Sequence, residues 1–356
     1  MPGLTTDSVT NYGGNWTNST VPTVTATNYS FLSSGISGLG QYQVAPTYNL
    51  NGIYVSNNYG VSWTKTGSVV DSYYSLYISY SGKYMIIMAY SDKMYKSTNF
   101  GASFSVAFTS LRPGYYFFSQ DETYHGYVSS TSRLNISSNS GSSFAIPSAL
   151  SSVSILNYGI PAAFSQNGKY QLAISATNIY VSNNNGSTYT SNLGGLTGLN
   201  TVAMSLDGQY MFVNSSPSLR YSSDFGVTWN VSTGVTGANT LECSYTGKYV
   251  SLKTATDIYI SSDFGATFTS TYNSTNIFEK RMSLDGKYLI VTKRTDTNLI
   301  ISKDYGQTWA SVSTDINATA TTNFMFPKLS ADGKYMLLGT NIGTAGYNNY
   351  VYVSAN

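Results

Sequence analysis

The chain has 356 residues, of which only 10% are charged and 15% are aromatic, including 33 tyrosines, and its formal net charge is +2. So small and unclustered a charge supplies no basic stripe for phosphate contacts, which excludes nucleic acid as an expected partner. No apolar run approaches the ~20 residues of a membrane span, so membrane insertion is not expected. A single cysteine, Cys243, excludes an internal disulfide and reads as a small buried hydrophobe.

In chain order, residues 1–10 read as a tail without the charged start and apolar stretch of a signal peptide. Residues 11–356 then read as one domain built from a repeat. Its first landmark is a turn followed by a strand that starts at tyrosine: Tyr42, Tyr84, Tyr124, Tyr170, Tyr210, Tyr249, Tyr288 and Tyr335, spaced 39 to 47 residues apart. Before seven of these stands a turn with glycine two residues upstream, as in Ser81-Gly82-Lys83-Tyr84 and Asp207-Gly208-Gln209-Tyr210, the copy at Gly40 being plainer. Glycine accepts the positive φ that such turns require. The third copy departs, with Glu122 where the glycine belongs.

The second landmark is Ser-x-Asp/Asn-x-Gly-x-Ser/Thr-aromatic. It runs from Ser56 to Trp63, Ser97 to Phe104, Ser137 to Phe144, Ser182 to Tyr189, Ser222 to Trp229, Ser261 to Phe268 and Ser302 to Trp309. The Asx side chain can bond N–H groups of its own turn while the glycine takes the left-handed position. The motif resembles the Asp box, or BNR repeat, of sialidase-like and sortilin-like β-propellers. The first four copies carry Asn and the last three Asp, a drift that disfavours a calcium site because amides replace carboxylates poorly there.

Between the landmarks lie four strand-like runs per unit, near residues 74–80, 84–90, 93–98 and 103–108 in the second, with period-two alternation. One such unit cannot bury its own apolar faces, so the repeats must close on one another. The reading is all-β: an eight-bladed β-propeller of four-stranded antiparallel blades with Asp-box turns. Seven blades is the alternative, if the divergent stretch around Asp121 and Glu122 is an insertion. The last unit stops inside a box at Ser354-Ala355-Asn356, and Asn11 to Trp16 matches Asn58 to Trp63. Trp16 is therefore expected to begin the outer strand of the blade that the C-terminal strands start, closing the ring.

The chemistry of the side chains points away from catalysis. A lone histidine, His125, reads as structural, and no metal ligands cluster, so neither catalytic residues, metal nor cofactor is expected. The resemblance to sialidase-type propellers makes a secreted glycoside hydrolase the enzymatic alternative, yet the arginine triad and the Arg-Ile-Pro motif of sialidases are absent. Glu242 and Glu279 fall on innermost strands and, beside Lys280 and Arg281, read as channel-lining ions rather than a catalytic pair.

Recognition is left. The loops opposite the repeated turns are the place for a ligand, with Arg112, Tyr115, Tyr158, Lys293, Arg294, Asp296 and Tyr347 as candidate contacts. The expected function is a non-enzymatic structural or recognition module binding a glycan or a protein. Its polar, weakly charged composition suits the extracellular space, as a secreted adhesin, or the surface of a virus or phage particle. An assembly-factor scaffold is the remaining alternative.

Overall fold

The computed structural model describes residues 16–18, 34–46, 52–66, 71–109, 114–237, 239–294, 298–312, 323–341 and 351–355. Residues 1–10 and the part of the N-terminal half-box before Trp16 lie outside the described residues. Apart from one 3-10 turn, Ser148–Leu150, all regular structure among the described residues is β. No described helix is long and apolar enough to cross a membrane.

The second unit shows how sequence becomes blade. Its strands are Tyr73–Ile78, Met85–Ala89, Met94–Ser97 and Ser105–Phe108, paired antiparallel in that order. The second strand, Met-Ile-Ile-Met-Ala, is buried at every position because neighbouring blades cover both of its faces. The outer strand meets water and is exposed or half-buried throughout. Burial is therefore organised in slabs between adjacent sheets. One slab joins Val44 and Val55 of the first unit to Leu76, Met85 and Ile87 of the second. Another joins Leu172 and Ile174 of the fourth to Val202 and Met211 of the fifth.

Among the described residues seven sheets are four-stranded, and the third repeat forms a sheet of three strands, Tyr115–Phe118, His125–Val128 and Leu134–Ser137. The expectation of eight four-stranded blades is corrected accordingly. Seven is the number of complete blades, as the alternative had it, and the exception is the divergent unit around Asp121 and Glu122. The reason is local. After its box the chain makes a single bridge, Ile136 to Ala145, and then meets Pro147. Proline has no N–H for a ladder bond, and here it leads into the 3-10 turn instead of an outer strand.

The ring closes as the half-box match implies. Trp16 pairs with Ser354, Thr17 with Val353 and Asn18 with Tyr352, making Trp16–Asn18 the outer strand of the sheet whose other strands are Asn323–Leu329, Tyr335–Asn341 and Val351–Ala355.

Candidate functional site: the central channel

The repeated turns are self-contained. In the box at Ser222 the serine hydroxyl accepts from Gly226 N at 2.9 Å and donates to Asp224 Oδ1 at 2.8 Å. Asp224 in turn accepts from Thr228 N at 2.9 Å and Thr228 Oγ1 at 2.6 Å. In the Asn boxes the last bond reverses: Asn99 Nδ2 donates to Ser103 Oγ at 2.9 Å. A hydroxyl can donate or accept, so amide and carboxylate serve equally, which explains the drift from Asn to Asp.

The periodic tyrosine clasps adjacent units. Tyr42, Tyr170, Tyr210, Tyr249 and Tyr335 each stack on the aromatic residue that immediately precedes the glycine of a neighbouring unit's box, at centroid distances of 4.1 to 4.7 Å. The turn glycine of the following unit lies against the same tyrosine. A Cβ on Gly247, at φ +76, would sit 2.6 Å from Tyr210 Cβ.

A hoop of backbone bonds surrounds the channel at this end. Each unit donates to the next: Gly38 N to Tyr80 O, Leu206 N to Tyr245 O, Tyr245 N to Leu284 O, Leu284 N to Ala331 O, and Ala331 N back to Gly38 O at 2.7 Å. Between the second and third units the link is a side chain. Glu122 accepts from Ser81 N at 2.6 Å and Ser81 Oγ at 2.8 Å, so the residue that departs from the turn pattern bridges the junction.

Inside the hoop is a cavity of about 490 Å³. Each unit lends it one side chain just before the buried turn serine: Ile36, Ile78, Phe118, Phe164, Met204, Cys243, Met282 and Leu329. Cys243 is half-buried, lining the channel while packing against the slab around Phe212 and Leu252, and burial, followed by the nearby Glu242 charge, pushes its thiol up to about 12.

The next layer is asymmetric. Units one to five contribute apolar or small residues such as Tyr77, Phe117 and Ala163, whereas units six to eight contribute Glu242, Arg281 and Lys328. Lys280 Nζ lies 3.1 Å from Glu242 Oε2, and Arg281 Nη1 lies 3.0 Å from Glu242 Oε1 and 3.4 Å from Glu279 Oε1. Burial opposes ionisation of Glu242, but Lys280 and Arg281 outweigh it and hold the carboxyl below its usual range. Burial also pulls Lys280 down, with Glu242 offsetting part of the effect. Lys328 is pulled to about 7 by burial first and the Arg281 charge second. Among the described residues no group of three or more His, Cys, Asp or Glu side chains converges as metal ligands would.

The predicted contacts divide. Tyr115 packs edge-on against Tyr77, with centroids 5.2 Å apart, and lies close enough to Arg281 and Glu242 for their charges to act on its hydroxyl. Arg294 sits over the Phe278 ring at 4.7 Å, at the end of the Leu289–Lys293 strand and beside Lys253. Lys293 ends that strand, paired with Ile277. Tyr158 stands apart, 57% exposed on the crossover from third to fourth unit. Arg112, Asp296 and Tyr347 lie outside the described residues. Sequence reasoning missed Lys253 and Lys328, because a lone lysine in an apolar or proline-containing strand carries no motif.

No known family's sequence profile matches the chain, and no curated protein matches it by sequence. Solved structures do. The C-terminal WD40 domain of Sif2 aligns with a TM-score of 0.66 at 10% identity, covering 93% of this chain and 97% of that one. The Dos1 propeller aligns at 0.64 and 11% identity, covering 92% of each. YCF48 bound to D1 peptide aligns at 0.54 and 13% identity, covering 96% of this chain and 94% of that one. The chain therefore has the β-propeller fold.

Proposed function

We propose that this chain is a non-enzymatic recognition propeller of the Asp-box type, an eight-unit ring that holds a protein partner at the loop end of its channel. The observation that carries this reading is the state of the two inward carboxylates. Both Glu242 and Glu279 contact Arg281, and Glu242 also meets Lys280. A glycosidase acid needs a carboxyl whose pKa is raised so that it can donate a proton near neutrality. Glu242 is shifted the other way. The eight-unit count is supported by the hoop of inter-unit bonds, which includes the three-stranded unit.

Tyr115, Lys293 and Arg294 would form the contact surface with Tyr158 at the rim, and Arg112, Asp296 and Tyr347 stay candidates on the sequence alone. The binding of D1 peptide by YCF48, a chain of the same fold, supports a peptide ligand over the glycan alternative. The weakly charged composition supports exposure outside the cell or on a virus or phage particle.

The test pairs a tiled peptide array and a glycan array with hydrolysis of aryl-glycosides and xyloglucan. Peptide signals that weaken in Arg294→Ala are the expected result. The likeness to an ancestral GH74 enzyme, at TM-score 0.56 and 12% identity over 55% of that chain, gives the opposing outcome its form. Glycoside turnover abolished by Glu242→Gln would overturn the proposal.

A further inference from the structure

Among the described residues, the channel wall of the sixth to eighth units holds more positive than negative charge. Lys280 and Arg281 engage Glu242 and Arg281 also meets Glu279, Lys328 lies within charge range of both carboxylates, Lys253 within that of Glu279, and Arg294 stands beside Lys253. Lys253 is 9% exposed, and its ammonium has no hydrogen bond or ion pair among the described residues. It feels Glu279 as an attraction and Lys280 and Arg294 as repulsions. Lys328 likewise has no such bond among the described residues, and it is repelled by Arg281. Neither Nζ is among the buried side-chain atoms that lack a partner, so both ammoniums meet solvent within the wall, and an incoming carboxylate would give each a charge-assisted bond. Water reaches the place: the Arg281 and Glu242 side chains are 27% and 22% exposed.

The surrounding aromatic faces narrow the ligand class. A sugar ring would need a flat face to stack on, but Arg294 covers Phe278 and Tyr77 is met edge-on by Tyr115. Separate lysine point charges suit single carboxylates carried along a chain.

We infer that this wall is a binding site for the carboxylate side chains of an acidic protein segment, with Lys253 and Lys328 as the residues that receive them. The inference rests on the recognition reading above and deepens it.

The test is calorimetric titration of the whole chain with capped hexapeptides of glutamate and of glutamine, and with hexagalacturonate, at low and at physiological ionic strength. The glutamate peptide should bind about tenfold tighter than its glutamine counterpart, and less tightly as salt rises. Lys253→Met and Lys328→Met should each weaken it about tenfold, while Lys65→Met, on the first unit's outer strand, leaves it unchanged. Replacing a solvent-touched ammonium that no described carboxylate bonds should leave the melting temperature about unchanged, so both variants are expected to fold. Variants that melt as the parent does yet bind equally well would overturn the site. Equal binding of the two hexapeptides would do the same while leaving the recognition reading intact. Capture of hexagalacturonate in place of the peptide would reassign the site to a glycan. Failure of every probe, together with glycoside turnover, would remove both readings.

Discussion

His125→Gln should leave the protein about as stable near pH 8 and make it more acid-resistant. The imidazole is fully buried, with Nε2 3.2 Å from Glu122 O and Nδ1 2.9 Å from the Tyr116 hydroxyl. A carbonyl only accepts, so Nε2 carries the proton and Nδ1 accepts from the tyrosine. Glutamine does the same work one unit on, where Gln171 Nε2 donates to Gly168 O at 3.0 Å and Oε1 accepts from Tyr189. In the first unit Gln43 donates to Gly40 O at 3.3 Å. Burial, reinforced by the Lys96 charge, lowers the His125 pKa to about 3. The unfolded chain binds this proton below its ordinary pKa of about 6.5 and the folded chain does not, so stability is full above that value and falls as pH drops toward 3. At about pH 5 the loss is ~2 kcal/mol, from roughly 1.5 pH units at 1.36 kcal/mol each. Urea denaturation of parent and variant near pH 8 and near pH 5 isolates the effect, since it is read as their difference. His125→Ala should instead lose about 2–4 kcal/mol near pH 8, through the cavity and the two stranded partners, and about 2 kcal/mol less than that near pH 5, where the parent itself is weakened. If His125→Gln is as damaging as His125→Ala near pH 8, or if parent and variant lose stability in parallel on acidification, the reasoning fails.

Glu122→Ala removes both bonds across the second junction and should cost about 1–2 kcal/mol. Hydrogen exchange should rise first at Ser81 and Thr123, and uniform loosening around the ring would contradict the bridging role. Glu242→Gln strands the fully buried Lys280 and should cost about 3–5 kcal/mol in chemical denaturation. Adding Lys280→Met should recover most of it, and a strictly additive double variant would refute the pairing. Tyr249→Leu gives up the stack on Tyr305 at 4.1 Å and should lower stability by about 0.5–1.5 kcal/mol beyond its change in buried area. A double-mutant cycle with Tyr305→Leu that shows no coupling would exclude the clasp.

What was legible in the sequence was what the chain encodes locally. A box closes within eight residues, so Ser222 to Trp229 announces its own geometry, and repetition at a fixed period announces the ring. The Trp16 match reached further, because it compared a local pattern at the two ends of the chain. The outer strand of the third unit was illegible by pattern, although Pro147 stood there as the signal that it would not form. The charged wall was harder. Glu242, Lys280 and Arg281 were placed on innermost strands, but Lys253 ends a second strand and Lys328 follows a proline. Only the assembled ring brings them together. The importance of Glu122 was equally hidden, because its partner Ser81 lies 41 residues away.

The hoop at the channel mouth has an electrical consequence. Its peptide N–H groups point the same way around the ring, and the Ser81-to-Glu122 link keeps that sense. Dipoles circulating about an axis cancel, unlike those aligned along a helix, which sum toward its two ends. The scaffold is thus close to electrically silent along the channel. Three of its units carry the polarity, so a charged visitor would sense which side of the circle it has entered on.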